Sequence, residues 1–582
     1  MAQPSARRTV LAVSVLGGIV LILLGLFVWR SMRDAEGASV GENSTGYEPP
    51  TDIPSVLPAP SLRGVRVAVI EEPNSGTSFA PGFYRKGVRA WRDLLTGLGA
   101  EMVEPAGADV LVLPHVVCMG VGTRALVNRH LERGKGIVTS GLVGAGDQDC
   151  VPVRDTLLVS LTGGGKGSVA RFKPYENDSY YAVVLGETAL GAGLPPGARF
   201  EMPPGEQIVF RGADRAVLYT DYRRTPVPNR GEPYFDGAVV RSRVGRGRVV
   251  AFGFSPGEVV PGWSTTIVRG IVTNAVTWAA GDPVVQLAPW PEGYRAAAVV
   301  AQDVEADFTN ASAAVDVLRE AGIPGTFFLV GKLAKVSPGT TWKMVRYGEI
   351  GTHTFDHGPL EVLSDPEQRE QLRLSKETTE RLAGRPVVGL RPPEERFNLQ
   401  TLRIWAELGG EYVFASNNNR SAGPEIVPYG PDSLVLLPRV VDDDFEVLNR
   451  SKERNRGAMT WRLLEQVEDV VAFRGVYMFS YHSHMFSQPD LLPVVRAFAK
   501  GLKEVPGIWI TQAGEVARWW RARAAVRVDP AADGSSVELT STGTGIFEGG
   551  VLLVDLPSGQ QRRLSVPPLA PGASVRMPLP AT

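Results

Sequence analysis

Net charge, cysteine and histidine are all scarce in this 582-residue chain. Lys and Arg number 61 against 62 Asp and Glu, a formal net charge of −1. That balance leaves no basic footprint and argues against a nucleic-acid partner. Cysteine occurs twice, at Cys118 and Cys150, and neither stands near the apolar N-terminal run, so a lipid-attachment cysteine is excluded there. The pair could form a disulfide or remain as two buried thiols. Histidine occurs six times, and four of the six fall in two tight clusters, His353 with His357 and His482 with His484. With 43% hydrophobic and 21% charged residues the composition is that of ordinary globular protein, and the length implies about three to four domains.

The run from Thr9 to Trp29 carries no charged residue. At about 1.5 Å per residue it matches the roughly 30 Å hydrocarbon core of a bilayer. It is longer than the ~7 to 15 apolar residues of a signal peptide and has no small-residue cleavage site beside it, so an uncleaved single-pass anchor over 1–33 is expected. Arg7 and Arg8 favour a cytoplasmic N-terminus, opposed by Arg30 and Arg33. The bulk of the chain is then extracytoplasmic, at the cell membrane. Residues 34–62, rich in Gly, Ser, Glu and Pro, read as a linker.

From 63 to 282, strand-like runs at Val65–Ile70 and Ala108–Pro114 alternate with a helical pattern over Tyr84–Leu98, the signature of an α/β domain with a parallel sheet. Gly245–Gly253 reads as a further strand, and Ile267–Ala280 as a closing helix ended by Gly281. This part resembles the class I glutamine-amidotransferase-like superfamily, which implies a flavodoxin-like α/β fold. Active members would carry a nucleophilic cysteine at a strand-to-helix turn; the stretch Gly136–Gly144 offers Ser140 instead. A structural or ligand-holding domain without that nucleophile is expected, with Ser140 as a serine nucleophile the alternative. Gly163–Ser168 lacks phosphate-loop spacing and reads as a flexible loop.

After a proline-rich joint at 283–291, the apolar run from Ala296 ends in Asp303, Glu305 and Asp307. Carboxylates at the C-terminal end of a buried strand occupy the catalytic position of α/β barrels. A second strand follows at Gly325–Val330, and then His353-Thr-Phe-Asp-His357, whose spacing sets two imidazoles on one face of a helix within reach of one metal ion. Arg391-Pro-Pro393 places an arginine at a strand end, and Val476–His482 is a strand closing on a histidine.

In this order and spacing the four segments resemble the polysaccharide deacetylase family over about residues 285–525. The resemblance implies a distorted (β/α) barrel, a bound divalent metal and removal of N- or O-acetyl groups from a sugar polymer. It assigns the general base to Asp303, metal ligation to His353 and His357, support of the base to Arg391 and the general acid to His482, with His484 as an alternative. The third ligand falls to Glu305, with Asp303 or Asp307 as alternatives, because the chain has Asp-Val-Glu where the family has two aspartates. Tyr481 replaces the leucine usual before the histidine. The acid run Asp442–Asp444 is a candidate for the aspartate that tunes that histidine, although acid runs are more often solvated loops. Nitrogen and oxygen donors suit Zn2+ best, with iron, cobalt or nickel also compatible.

Residues 526–582 hold short strand-like runs separated by Gly and Pro and read as a small β-sandwich. The whole is expected to be a membrane-anchored, metal-dependent deacetylase of an acetylated polysaccharide or cell-wall glycan. The rival readings are a catalytically impaired glycan-binding or assembly protein and a hydrolase of another carbon–nitrogen amide bond.

Overall fold

The computed structural model describes residues 49–580 apart from 79–80, 155, 164–167, 173–179, 203–206, 212–213, 223–236 and 532. The Thr9–Trp29 run lies outside the described residues, as does most of Gly163–Ser168. Among the described residues no helix is long and apolar enough to cross a membrane.

The first sheet begins with five parallel strands in the spatial order Glu101–Met102, Arg66–Val69, Val110–Pro114, Gly136–Ser140 and Gly247–Phe252. That is the flavodoxin-like order in which the chain steps outward from its first strand and then reverses. The strands Val110–Pro114 and Gly136–Ser140 are buried throughout, as strands covered on both faces must be. Gly237–Val244, Asp214–Tyr219 and Tyr180–Val184 extend the sheet antiparallel. The helix Trp263–Ala280 buries Ile267, Ile271, Val272 and Trp278 against it and stops at Gly281, whose φ of 109° only glycine adopts readily. Cys118 and Cys150 form a disulfide with Cα atoms 4.9 Å apart.

The second sheet curls around the histidine-bearing segments. Parallel strands run in the order Leu434–Pro438, Tyr412–Ala415, Gly389–Leu390, Glu349–Thr352, Thr326–Leu329, Ala296–Val304 and Val476–His482. Glu425–Val427 pairs antiparallel at one edge. Ile508–Thr511 pairs with the first half of Ala296–Val304, whose second half pairs Thr326–Leu329. The result is a half-barrel open between its two edges, with every residue of Ala296–Val304 buried.

Two regions depart from the domain boundaries expected above. Residues 49–62 are packed rather than free: Ile53 is 3% exposed in the barrel core, Val56 N–H donates to the Ile426 carbonyl, and Leu62 joins the core of the first domain. The joint at 283–291 contributes a strand, Val284–Leu287, to the C-terminal sandwich by pairing with Val551–Asp555. Gln561–Ser565 completes that sheet, and Val526–Pro530, Ser536–Ser541 and Ser574–Pro578 form the facing one. Leu287, Val537, Leu539, Leu552 and Val554 fill the space between them. The sandwich also grips the first domain, through Trp278 Nε1 donating to the Leu556 carbonyl and the Arg241–Asp555 ion pair.

Candidate active site

Strand register brings the site together. Ala296–Val304 and Val476–His482 pair so that Asp303 stands opposite His482. Glu349–Thr352 and Gly389–Leu390 pair at Thr352 and Leu390, which puts His353 and Arg391, the next residues in each strand, side by side. All four side chains emerge at the C-terminal edge of the sheet, where parallel α/β sheets carry their ligands.

His353 and His357 share a site, but not through a helix. The segment after Thr352 is a loop in which Thr354 and His357 take left-handed φ values of 61° and 68°. His357 N–H donates to Thr354 Oγ1 at 3.1 Å, a hydroxyl-closed turn that folds the second histidine back toward the first. Their rings lie 4.9 Å apart. The helical face expected from the spacing is thus replaced by a turn with the same outcome.

Glu305 closes this pair. Its Oε2 lies 3.3 Å from His353 Nε2 and makes a shorter contact with His357 Nε2. The three donor atoms fall within 4.8 Å of one another, close enough for a single ion. His353 Nδ1–H donates to the Arg391 carbonyl at 2.6 Å, which orients the ring so that Nε2 faces Glu305 and is the nitrogen open to a cation once its proton is released. Burial would raise the Glu305 carboxyl, but hydrogen bonds from His353 and His357 hold it far below the usual carboxylate range. An anionic oxygen and a freed imidazole nitrogen are the donors a divalent cation takes. Of the other candidates for third ligand, Asp303 faces Arg391 and His482, and Asp307 turns outward to accept from Gln488 Nε2 at 3.2 Å.

Asp303 is 1% exposed. Its Oδ2 accepts from Arg391 Nε at 3.2 Å and Ser480 Oγ at 3.0 Å and lies 3.8 Å from His482 Nε2. Its Oδ1 is buried without a hydrogen-bond partner among the described residues, an acceptor left over for something outside the chain. Burial pushes the carboxyl up, and the Arg391 guanidinium with His353 and His482 more than reverses this, so it stays ionised below its ordinary range. Ser480 was not singled out in the sequence, yet it sits two residues before His482 on the same strand face.

His482 is held by Asp444. The Asp444 carboxylate accepts from His482 Nδ1 at 2.5 Å, from its backbone N–H at 2.8 Å and from Phe486 N–H at 3.1 Å. The third member of the acid run is therefore fully buried rather than solvated. Burial alone would lower the imidazole; Asp444 overrides it and raises His482 to about 10. His484, by contrast, places Nδ1 3.3 Å from Glu305 Oε1. Tyr481 is buried and stacked on Phe479, so the replaced leucine position lies on the opposite strand face from His482.

In the first domain Ser140 is buried, and its Oγ accepts from Trp91 Nε1 at 2.9 Å. It serves as a core hydrogen-bond acceptor.

Residues 301–413 match the polysaccharide deacetylase family model. The chain is 34% identical over 80 residues to a peptidoglycan-N-acetylglucosamine deacetylase of Bacillus cereus, covering 14% of this chain and 29% of the relative. It is 31% identical over 149 residues to a peptidoglycan-N-acetylmuramic acid deacetylase of Bacillus subtilis, covering 23% and 57% respectively. The chain thus spans less than two thirds of the length of either relative. A solved structure of a putative polysaccharide deacetylase from Mycobacterium smegmatis superposes with a TM-score of 0.37 at 22% identity, covering 41% of this chain and 96% of that one. The family match and the two curated deacetylases support the deacetylase family for residues 301–413; they do not bear on the amidotransferase resemblance of residues 63–282.

Proposed function

We propose that the chain is a metal-dependent hydrolase that removes acetyl groups from an extracytoplasmic polysaccharide or cell-wall glycan. The observation that carries this reading is the placing of buried Asp303 3.8 Å from His482, itself bound to Asp444, beside three converging metal donors. Glu305, His353 and His357 would hold the ion, Zn2+ suiting this donor set best. When bound, it would supply Lewis-acid polarisation of the acetyl carbonyl and a more acidic water.

The chain's own residues supply the proton traffic. Asp303, kept anionic by Arg391, accepts a proton from the attacking water at its unpartnered Oδ1. His482, kept cationic by Asp444, gives its Nε2 proton to the departing amine or alcohol. Ser480 and Arg391 hold Asp303 from two sides, so the base is oriented before substrate arrives.

The family relatives named for peptidoglycan deacetylation lend the substrate class, and the Cys118–Cys150 disulfide suits an oxidising compartment. In this reading the apolar run over 9–29 anchors the protein in the membrane. Residues 63–282 act as an amidotransferase-like domain without a nucleophilic cysteine, its two cysteines being bonded to each other and Ser140 committed to Trp91. The test is acetate release from acetylated glycans, N-acetylglucosamine oligomers and peptidoglycan among them, by wild type and Asp303→Asn. Release by wild type and its loss in the variant is the expected result. Metal binding with no release from any glycan would favour a glycan-binding protein instead, and release of ammonia or amine from small amides alone would favour a different amidohydrolase.

A further inference from the structure

A second set of charges runs between the base and the acid, and the reaction as described does not use it. Arg391-Pro-Pro393 is followed by Glu394 and Glu395, both in left-handed conformation with φ of 53° and 59°. That turn brings the Glu395 carboxylate back onto Arg391, with Nη1 donating to Oε1 at 2.5 Å. Arg439, at the end of the strand Leu434–Pro438, donates to the same carboxylate from Nε at 2.6 Å and from Nη2 at 3.0 Å. Its Nη1 donates to Glu446 Oε2 at 2.7 Å and lies 3.7 Å from Asp443 Oδ2. Asp443 adjoins Asp444, the partner of His482.

The pairs run from Asp303 through Arg391, Glu395 and Arg439 to Asp443 and Glu446, and the backbone step from Asp443 to Asp444 joins them to the Asp444–His482–Asp303 contacts. Arg391, Glu395, Arg439, Asp443 and Glu446 have side chains between 3% and 13% exposed. Charges at such depth cost desolvation that their mutual attraction only partly returns, so this set is poorly explained as a source of stability. It is well explained as a device that fixes geometry. The guanidinium of Arg439 is planar and rigid and engages carboxylates from two segments, the turn after Arg391 and the stretch after its own strand that carries Asp443, Asp444 and Glu446.

We propose that Glu395 and Arg439 are positioning residues that lock the arginine supporting the base and the aspartate supporting the acid into one arrangement. The proposal rests on the assignment of Asp303 and His482 as base and acid. Glu395 prevents Arg391 from swinging toward Asp303 alone, and Arg439 ties that carboxylate to the loop that carries Asp444.

The full-length protein is tested as Glu395→Gln, Arg439→Gln and Arg439→Lys beside Asp303→Asn, with acetate release from an N-acetylglucosamine oligomer as the assay. Glu395→Gln and Arg439→Gln are expected to lower kcat at least tenfold with KM within twofold, and Arg439→Lys to recover part of the loss. If Asp303→Asn is inactive while both glutamine variants keep kcat within twofold, the positioning role is wrong and the base assignment survives. If Asp303→Asn is fully active, the base assignment fails.

A second measurement does not depend on turnover. Selective 15N-histidine labelling reports only six rings, and the variants are expected to shift the His482 signals while those of His115 and His130 in the first domain stay in place. Unmoved His482 signals in all three variants would overturn the proposal whatever the enzyme does. Should Arg439→Gln disturb the His115 and His130 signals as well, Glu395→Gln and Arg439→Lys carry the same comparison.

Discussion

Replacing Asp444 by asparagine keeps the shape of the side chain and removes the charge that holds the proton on His482. In the native protein burial disfavours the imidazolium, and Asp444, 2.5 Å from Nδ1, overrides it, with Asp303 and Asp443 adding, to set His482 at about 10. A hydrogen bond to a charged group is worth about 1.5–3 kcal/mol. At about 1.4 kcal/mol per pKa unit, losing the charge lowers the imidazole by about one to two units. The acid form is the working form and is lost as pH rises through the pKa, so a lower pKa cuts the alkaline side of the profile only. In a pH series of kcat/KM for acetate release, the descending limb of Asp444→Asn should fall about one to two units below that of wild type. Rates near pH 9 should drop about two- to tenfold, with the ascending limb unmoved. A variant whose alkaline limb coincides with wild type would refute the view that Asp444 keeps His482 protonated for catalysis.

Further expectations concern the rest of the molecule. Ile53→Ala removes a side chain 3% exposed in the barrel core and should cost about 2–5 kcal/mol in urea unfolding, whereas a cost below about 0.5 kcal/mol would mean that residues 49–62 are not packed there. Burial holds the His130 imidazole down at about 4 from 6.5, so the unfolded chain binds the extra proton between those values. Stability contributed by neutral His130 is present above about pH 6.5 and lost on acidification, and the advantage of wild type over His130→Gln should shrink as pH falls through that window. A gap constant from pH 7 to pH 4.5 would contradict it. Ser140→Ala should leave acetate release intact and cost about 1 kcal/mol through the lost Trp91 bond; abolished hydrolysis would reopen a nucleophilic role.

The residues of the site were legible in the sequence where chemistry concentrates at strand ends. Asp303, Arg391 and His482 each close an apolar run, and parallel register alone then brings them together. Glu305 emerged as the neighbour of the histidine pair because it is the first acidic side chain beyond the strand Ala296–Val304. The backbone between the histidines was not legible: a four-residue spacing fits a helix, but two left-handed residues make a turn, and no side-chain period reports that. Asp444 was obscured by its own neighbours, since three acids in a row look solvated while only the last points inward to His482. Glu395 and Arg439 were invisible for a different reason, because their partners lie 44 positions apart and ion pairs across a sheet leave no local pattern. The same holds for Val284–Leu287, whose partner strand Val551–Asp555 is at the far end of the chain and turns an apparent joint into part of the sandwich.

The central claim is that Glu305, His353 and His357 form one metal centre on which hydrolysis depends. Its most direct measurement is metal content per chain, by elemental analysis, alongside acetate release, for wild type, Glu305→Ala and His357→Ala before and after chelation. The account predicts one divalent ion per wild-type chain, loss of that ion in both variants, and hydrolysis that disappears on chelation and returns on addition of Zn2+. Full metal occupancy in both variants, or undiminished hydrolysis by the stripped protein, would contradict it.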